Sequence, residues 1–196
     1  MDDTRYEIRF SGSGGQGIIT AAVIYAEAVA AVPGSYVCQT QSYGPEARGG
    51  KSKAEVVISD EPIDYPKPLQ LDLLLAMNQA ACDAYFFDLK PSGLLVVDSD
   101  LVEQIPTSRV VAIPFTAIAK QEIGKALVAN MVALGAVGRL SNRVPLSSLE
   151  EALLSRVPPG TGEMNKKALQ RGIEEAGKIK LESLPRSVML DEEEEV

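Results

Sequence analysis

Histidine and tryptophan are absent from the 196 residues, and cysteine occurs twice, at Cys38 and Cys82. Each shortage closes a class of chemistry. Without histidine there is no Ser-His-Asp triad, no Cys-His dyad and no histidine-ligated zinc within this chain. An iron–sulfur cluster needs about four thiolates, so a redox cluster must belong to another chain. Two cysteines are too few for a disulfide scaffold, and a reducing, cytoplasmic setting is expected. No apolar run reaches the roughly 18 to 20 residues that span a bilayer, so no membrane partner is expected. The opening "MDDTRYEIRF" is acidic and polar, unlike a secretory signal. Basic charge is also short: the net charge is −8, which opposes nucleic-acid binding, because that needs a cationic surface to displace counterions. Five of the acids lie in "DEEEE" at 191–195.

What remains is 45% hydrophobic, enough for one sizeable core but not two. We expect a single α/β domain over residues 1–181 and a disordered acidic tail over 182–196. "YEIRF" (6–10) alternates as a strand does, and "YVCQT" (36–40) and "KAEVVIS" (53–59) read as further strands. "LDLLLAM", "LLVVD" and "RVVAI" are continuous apolar runs, the pattern of strands covered on both faces. Between them lie helical stretches: 18–32, a short one from Asn78 that Gly93 should stop, 126–140, and 163–178. Ser147 with Glu150 three residues later has the form of a capping box for another helix. The alternation predicts a three-layer α/β/α fold on a parallel or mixed sheet, with a Rossmann-like N-terminal half.

Two loops carry the candidate chemistry. "GSGGQG" contains Gly12, Gly14, Gly15, Gln16 and Gly17, placed between a strand and a helix. Gly12, Gly14 and Gly17 match the dinucleotide-binding spacing, and a helix N-terminus offers free N–H groups to an anion. The fingerprint is incomplete, because the region "SYVCQTQSYG" has no acid for the ribose hydroxyls. Three uses stay open: a backbone site for another phosphate, a surface that docks a partner, or a bare turn that packs helix on strand. The second loop, within "QSYGPEARGGKSKAEVVIS", gathers Tyr43, Gly44, Pro45, Glu46, Arg48, Gly49 and Gly50. In a doubly wound sheet it should lie beside the first loop, with Arg48, Lys51 and Lys53 adding positive charge near the helix N-terminus. Alternatively, Glu46 and Arg48 pair to stiffen a hairpin. No residue qualifies as catalytic.

"GSGGQGI", "QTQSYGPEARGGKSKAEVVISDEPIDYP" and "DLLLAMNQAACDAY" together resemble the gamma subunit of 2-oxoacid:ferredoxin oxidoreductases, the 2-oxoglutarate type above all, over residues 9–172. The resemblance implies a hetero-oligomer that decarboxylates a 2-oxoacid onto coenzyme A and reduces ferredoxin. It implies thiamine diphosphate with Mg on alpha and beta subunits. It also implies iron–sulfur clusters on the beta subunit and, in many members, on a small ferredoxin-like subunit. For this chain it implies a position beside the thiamine site, helping to bind or gate coenzyme A, and no activity in isolation. It names no single 2-oxoacid on the strength of this chain's residues. A free-standing Rossmann-type nucleotide-dependent enzyme and a purely structural interaction subunit are the competing readings.

Overall fold

A computed structural model of the chain describes residues 5–43 and 51–188, except the side chain of Tyr43. Six strands, β1 (Arg5–Ser13), β2 (Tyr36–Tyr43), β3 (Lys51–Ser59), β4 (Leu71–Ala76), β5 (Leu89–Asp98) and β6 (Val110–Ile113), form one mixed sheet in the order β2-β3-β1-β4-β5-β6. β1, β4, β5 and β6 are mutually parallel, whereas β3 is antiparallel to both β1 and β2. The helices are α1 (Ile18–Ala30), α2 (Gln79–Tyr85), α3 (Phe115–Ile118, continued by a π turn to Ile123), α4 (Ala129–Ser141), α5 (Leu146–Arg156) and α6 (Gly162–Gly177). The fold is α/β, as expected, and the sheet is of the mixed kind.

Alternation along β1 assigns its two faces. Ile8 and Phe10 enter the core under α1, while Glu7, Arg9 and Ser11 face the other way and are also buried. The two layers are unequal. The larger core packs α1, α3, α4, α5 and α6 on one face, and a smaller one packs α2 against β4 and β5. The short polypeptide 184–188 closes the smaller core: Val188 is buried there, and its N–H donates to the Pro91 carbonyl. Beyond α2 this second face of the sheet is polar. Arg9 forms ion pairs with Glu55 and Asp88 and lies 4.9 Å from the Tyr85 ring centroid. Burial raises the cost of the Glu55 charge, but hydrogen bonds and charge from Lys53 and Arg9 hold its carboxyl below its ordinary pKa.

α4 is the central helix: every residue but Arg139 is buried. It crosses α6 at a contact made of glycine. A Cβ on Gly172 would stand 1.8 Å from the Val132 carbonyl oxygen, and one on Gly135 would stand 2.0 Å from that of Leu169. The two backbones therefore touch without intervening side chains.

Several boundaries differ from expectation, each for a physical reason. β1 continues to Ser13, so Gly12 belongs to the strand and not to the loop. Gly93 lies within β5 at the β4–β5 register shift, where the Leu71 carbonyl leaves no room for a Cβ; the helix before it ends earlier, in a 3₁₀ turn at Phe86–Asp88. The capping box does not form. Pro145 starts α5 two residues before Ser147, and no side chain caps that helix.

Candidate functional site

The glycine loop joins β1 to α1 at a point where the chain changes direction across the sheet. β1 leads through α1 towards β2 and β3, whereas β4, its parallel neighbour, leads through α2 towards β5. Loops leaving such a pair diverge, and a crevice opens between them. The local sequence shapes this one. Gly15 (φ 93°) and Gly17 (φ 70°) adopt the left-handed conformation that side chains resist. Gly12 is needed for space, since a Cβ there would lie 2.6 Å from Gln16 Oε1 and 3.2 Å from Met77 Cβ. Gly14 and Gly15 are exposed at the tip.

Gln16 staples the loop. Its Oε1 accepts from the Ser13 N–H (2.7 Å), the Ser13 hydroxyl (3.0 Å) and Asn78 Nδ2 (3.2 Å), and its Nε2 donates to the Met77 carbonyl (3.0 Å). Both ends of the amide are thus occupied, and the loop after β1 is tied to the turn after β4. Asn130, in the first turn of α4, adds a second clamp by donating to the Gly17 carbonyl at 3.0 Å. α1 itself starts with no side-chain cap and no acid in its first turn. Its first N–H groups therefore retain their donor capacity and their partial positive charge.

Beside this N-terminus lies a cleft of about 330 Å³, lined by Gly15, Gln16, Met77, Leu101, Thr116, Ala126, Leu127 and Ala129. The residues arrive from the carboxyl ends of all four parallel strands and from the start of α4. The cleft is mainly apolar, and Leu127 at its edge is 65% exposed. Its far wall is held by Asp98, which is fully buried at the end of β5. One Asp98 oxygen accepts from the Thr116 hydroxyl (2.5 Å) and N–H (3.2 Å), and the other accepts from the Asp100 N–H (3.2 Å). Burial pushes the Asp98 carboxyl above its ordinary pKa despite these hydrogen bonds.

Of the candidate residues, Gly12, Gly14, Gly15, Gln16 and Gly17 stand together at this crevice. Tyr43 ends β2, opposite Ser52. Gly44, Pro45, Glu46, Arg48, Gly49 and Gly50 lie outside the described residues. The second loop does leave the same end of the sheet as the first, but not from a neighbouring strand. β3 intervenes, and its first residue, Lys51, pairs with Ser13. Lys53 does not supply charge to α1. It points from the opposite sheet face to Glu55, 2.9 Å away. The inserted β3 also keeps the end of β2 away from the glycine loop, where a dinucleotide site would want its acid. Met77, Leu101, Thr116, Leu127 and Asn130 were not legible as site residues. Only Asn130 left a trace, as a lone amide in the first turn of an apolar helix.

Residues 7–175 match the family described as pyruvate ferredoxin/flavodoxin oxidoreductase. The chain belongs to that family. It is 51% identical over 179 residues to the 2-oxoglutarate synthase subunit KorC of Methanocaldococcus jannaschii, an alignment covering 89% of this chain and 96% of that one. It resembles the crystal structure of a keto/oxoacid ferredoxin oxidoreductase gamma subunit from Geobacter sulfurreducens, with TM-score 0.81 and 50% identity over 89% of this chain and 97% of that one. It also superposes, with TM-score 0.81 and 27% identity, on part of the 2-oxoglutarate:ferredoxin oxidoreductase of Magnetococcus marinus, solved with 2-oxoglutarate, coenzyme A and succinyl-CoA bound. That match covers 95% of this chain and 33% of the larger one.

An iron–sulfur cluster does not fit this chain's own residues. Two cysteines fall short of a cluster, and Cys82 is enclosed in the smaller core. Among the described residues no three histidine, cysteine or acidic side chains gather as a metal site. No helix among them is long and apolar enough to cross a membrane.

Proposed function

We propose that this chain is the gamma subunit of a multi-chain 2-oxoglutarate:ferredoxin oxidoreductase and that it helps to bind or gate coenzyme A. The observation that carries the reading is the near full-length match to a 2-oxoglutarate synthase subunit. In the reaction, the C1–C2 bond of 2-oxoglutarate breaks to release carbon dioxide, the succinyl group passes to the coenzyme A sulfur, and two electrons go to ferredoxin. When bound on the alpha and beta subunits, thiamine diphosphate with Mg would supply the carbanion chemistry, and iron–sulfur clusters on the beta subunit and, in many members, on a small ferredoxin-like subunit would carry the electrons. The cytoplasm is the compartment we assign, consistent with two free cysteines.

This chain's contribution is to bind, orient and shield. The uncapped start of α1, with the exposed N–H-bearing tip at Gly14 and Gly15, suits an anion such as a phosphate. The apolar cleft next to it suits the uncharged arm that follows the phosphates. Arg48, outside the described residues, is offered as a further ligand because a guanidinium is always charged and can hold a phosphate through two parallel hydrogen bonds. In this reading the working domain is the expected 1–181 together with 182–188, because Val188 is buried in the smaller core and its N–H donates to the Pro91 carbonyl.

In the assembled complex, Arg48→Ala should raise the KM for coenzyme A by roughly 10- to 150-fold, corresponding to about 1.5–3 kcal/mol for a charge-assisted hydrogen bond, with little change in 2-oxoglutarate decarboxylation. Steady-state kinetics with coenzyme A varied decide the matter. An unchanged KM, with Glu46→Ala and Arg48→Ala both lowering thermal stability alike, assigns the pair to holding the loop instead. Reduction of a viologen dye driven by 2-oxoglutarate in the isolated chain would overturn the subunit reading itself.

A further inference from the structure

The sheet has two edges, and they are treated differently. β6 is four residues long, and Arg109, just before it, spans its flank by donating to the carbonyls of Ser92 (3.1 Å), Gly93 (3.0 Å) and Pro185 (2.6 Å). A short strand beside a tethered cation is an ordinary protected edge. β2 is twice as long, at eight residues, and among the described residues it pairs only with β3. Its sequence, YVCQTQSY, contains no charge, no proline and no glycine. None of the usual devices against edge-to-edge pairing is present in the strand, although the chain has acids and lysines in abundance elsewhere. Val37, Cys38, Gln39 and Thr40 are half-buried, and Tyr36 is exposed.

We propose that β2 pairs with β2 of a second copy of this chain, antiparallel across a two-fold axis, so that two six-stranded sheets become one of twelve. Neutrality along the whole strand selects this occupant. In a two-fold contact the residue on the axis meets its own copy and the strand as a whole meets itself, so a net strand charge of either sign opposes its like. A strand fitted to a different, charged partner has no such restriction. The chain carries −8 overall, and a neutral strip is where two copies approach at least electrostatic cost.

The geometry limits the register. An axis perpendicular to the sheet keeps each face on its own side, so residues directly opposite must have the same parity. Two registers use seven of the eight residues. One is centred on Gln39, with Cys38 opposite Thr40 and Tyr36 opposite Ser42. The other is centred on Thr40, with Gln39 opposite Gln41 and Cys38 opposite Ser42. Every pair is uncharged; the Gln39 amide, which donates to the Thr40 carbonyl at 3.0 Å, and the Thr40 hydroxyl, which donates to Glu55 at 3.3 Å, would exchange those partners to hydrogen-bond across the seam. The two Cys38 residues then stand about 8 Å or about 14 Å apart, from the strand spacing and the rise per residue. Cys82 cannot substitute for Cys38 as a reporter, since it is fully buried and burial pushes its thiol up to about 11.

The test uses the purified full-length chain. Light scattering after size exclusion, at tens of micromolar chain, should give twice the 20.9 kDa chain mass. A bismaleimide spanning about 8–14 Å should link two chains, and Cys38→Ser should abolish the link while leaving the mass doubled. Gln39→Lys with Gln41→Lys places like charges opposite each other in either register and should give a monomer with an unchanged circular dichroism spectrum. A monomeric wild type, as expected if another subunit takes this edge, overturns the proposal. So does a dimer that the double lysine variant retains. If that variant fails to fold, the wild-type linkage decides: a dimer that Cys38 cannot link is joined elsewhere, and the proposal falls.

Discussion

Two groups of glycines hold this molecule together, and they do so by opposite means. In the loop after β1, Gly15 and Gly17 are required by their backbone angles, and nothing lies within 4 Å of where a Gly15 Cβ would be. At the α4–α6 crossing, Gly135 and Gly172 sit in ordinary helix, and it is the missing Cβ that matters, because a backbone carbonyl occupies its place. The first group gives the chain a conformation; the second gives it a distance. A clustered run such as GSGGQG attracts notice, whereas a lone glycine in an apolar helix does not. Yet the second kind is the less replaceable, since a strained angle costs a bounded amount and a backbone collision moves two helices. Gly17 belongs partly to both, having positive φ and a would-be Cβ 2.4 Å from Asn130 Nδ2.

The contrast is broken most severely at the crossing. Gly172→Ala should destabilise the fold by about 3 kcal/mol or more, since neither carbonyl nor helix can retreat without opening the larger core. For a chain of this size that is a fall in Tm of about 6–12 °C, read by thermal denaturation. Gly135→Ala should act alike, and the double variant should cost less than the sum, because the first methyl has already parted the helices. Strict additivity would show that each side relaxes locally.

Gly17→Ala comes next, at about 2 kcal/mol: the left-handed angle costs 1–2 kcal/mol, and the Asn130 clamp must swing aside. Asn130→Ala should recover part of that loss in the Gly17→Ala background by making room. If it recovers nothing, the collision with Asn130 is unimportant and the angle alone matters.

The smallest effects on folding should be at the tip. Gly15→Ala should cost about 1 kcal/mol through its positive φ alone. Gly14 is exposed and has no positive φ, so Gly14→Ala should stay within about 0.5 kcal/mol of wild type. In the assembled oxidoreductase, however, both should lower activity with coenzyme A if the tip meets a ligand or another chain. Full activity for both would reduce the loop to a turn.

Much of the architecture was legible because burial on both faces of a strand demands unbroken apolar runs, as in LDLLLA and LLVVD. The glycine loop was legible because a strand-to-helix turn with positive φ admits few residues besides glycine. The absence of histidine, and of all but two cysteines, was decisive alone, since chemistry cannot proceed without its donor atoms. The order of the strands was not legible. That β3 enters antiparallel between β1 and β2 depends on which edges find each other, and the apolar alternation of β3 suits either neighbour and either direction. The same uncertainty hid the cleft. Met77, Leu101, Thr116 and Leu127 come from four separate segments, and each alone looks like an ordinary core or surface residue. Gln16 reads as one more loop residue until folding brings Met77 and Asn78 within reach of its amide. Local propensity and patterning are written along the chain, where neighbours in sequence supply the physics; a cleft, a staple and a helix crossing are made by residues that meet only after the sheet has chosen its order.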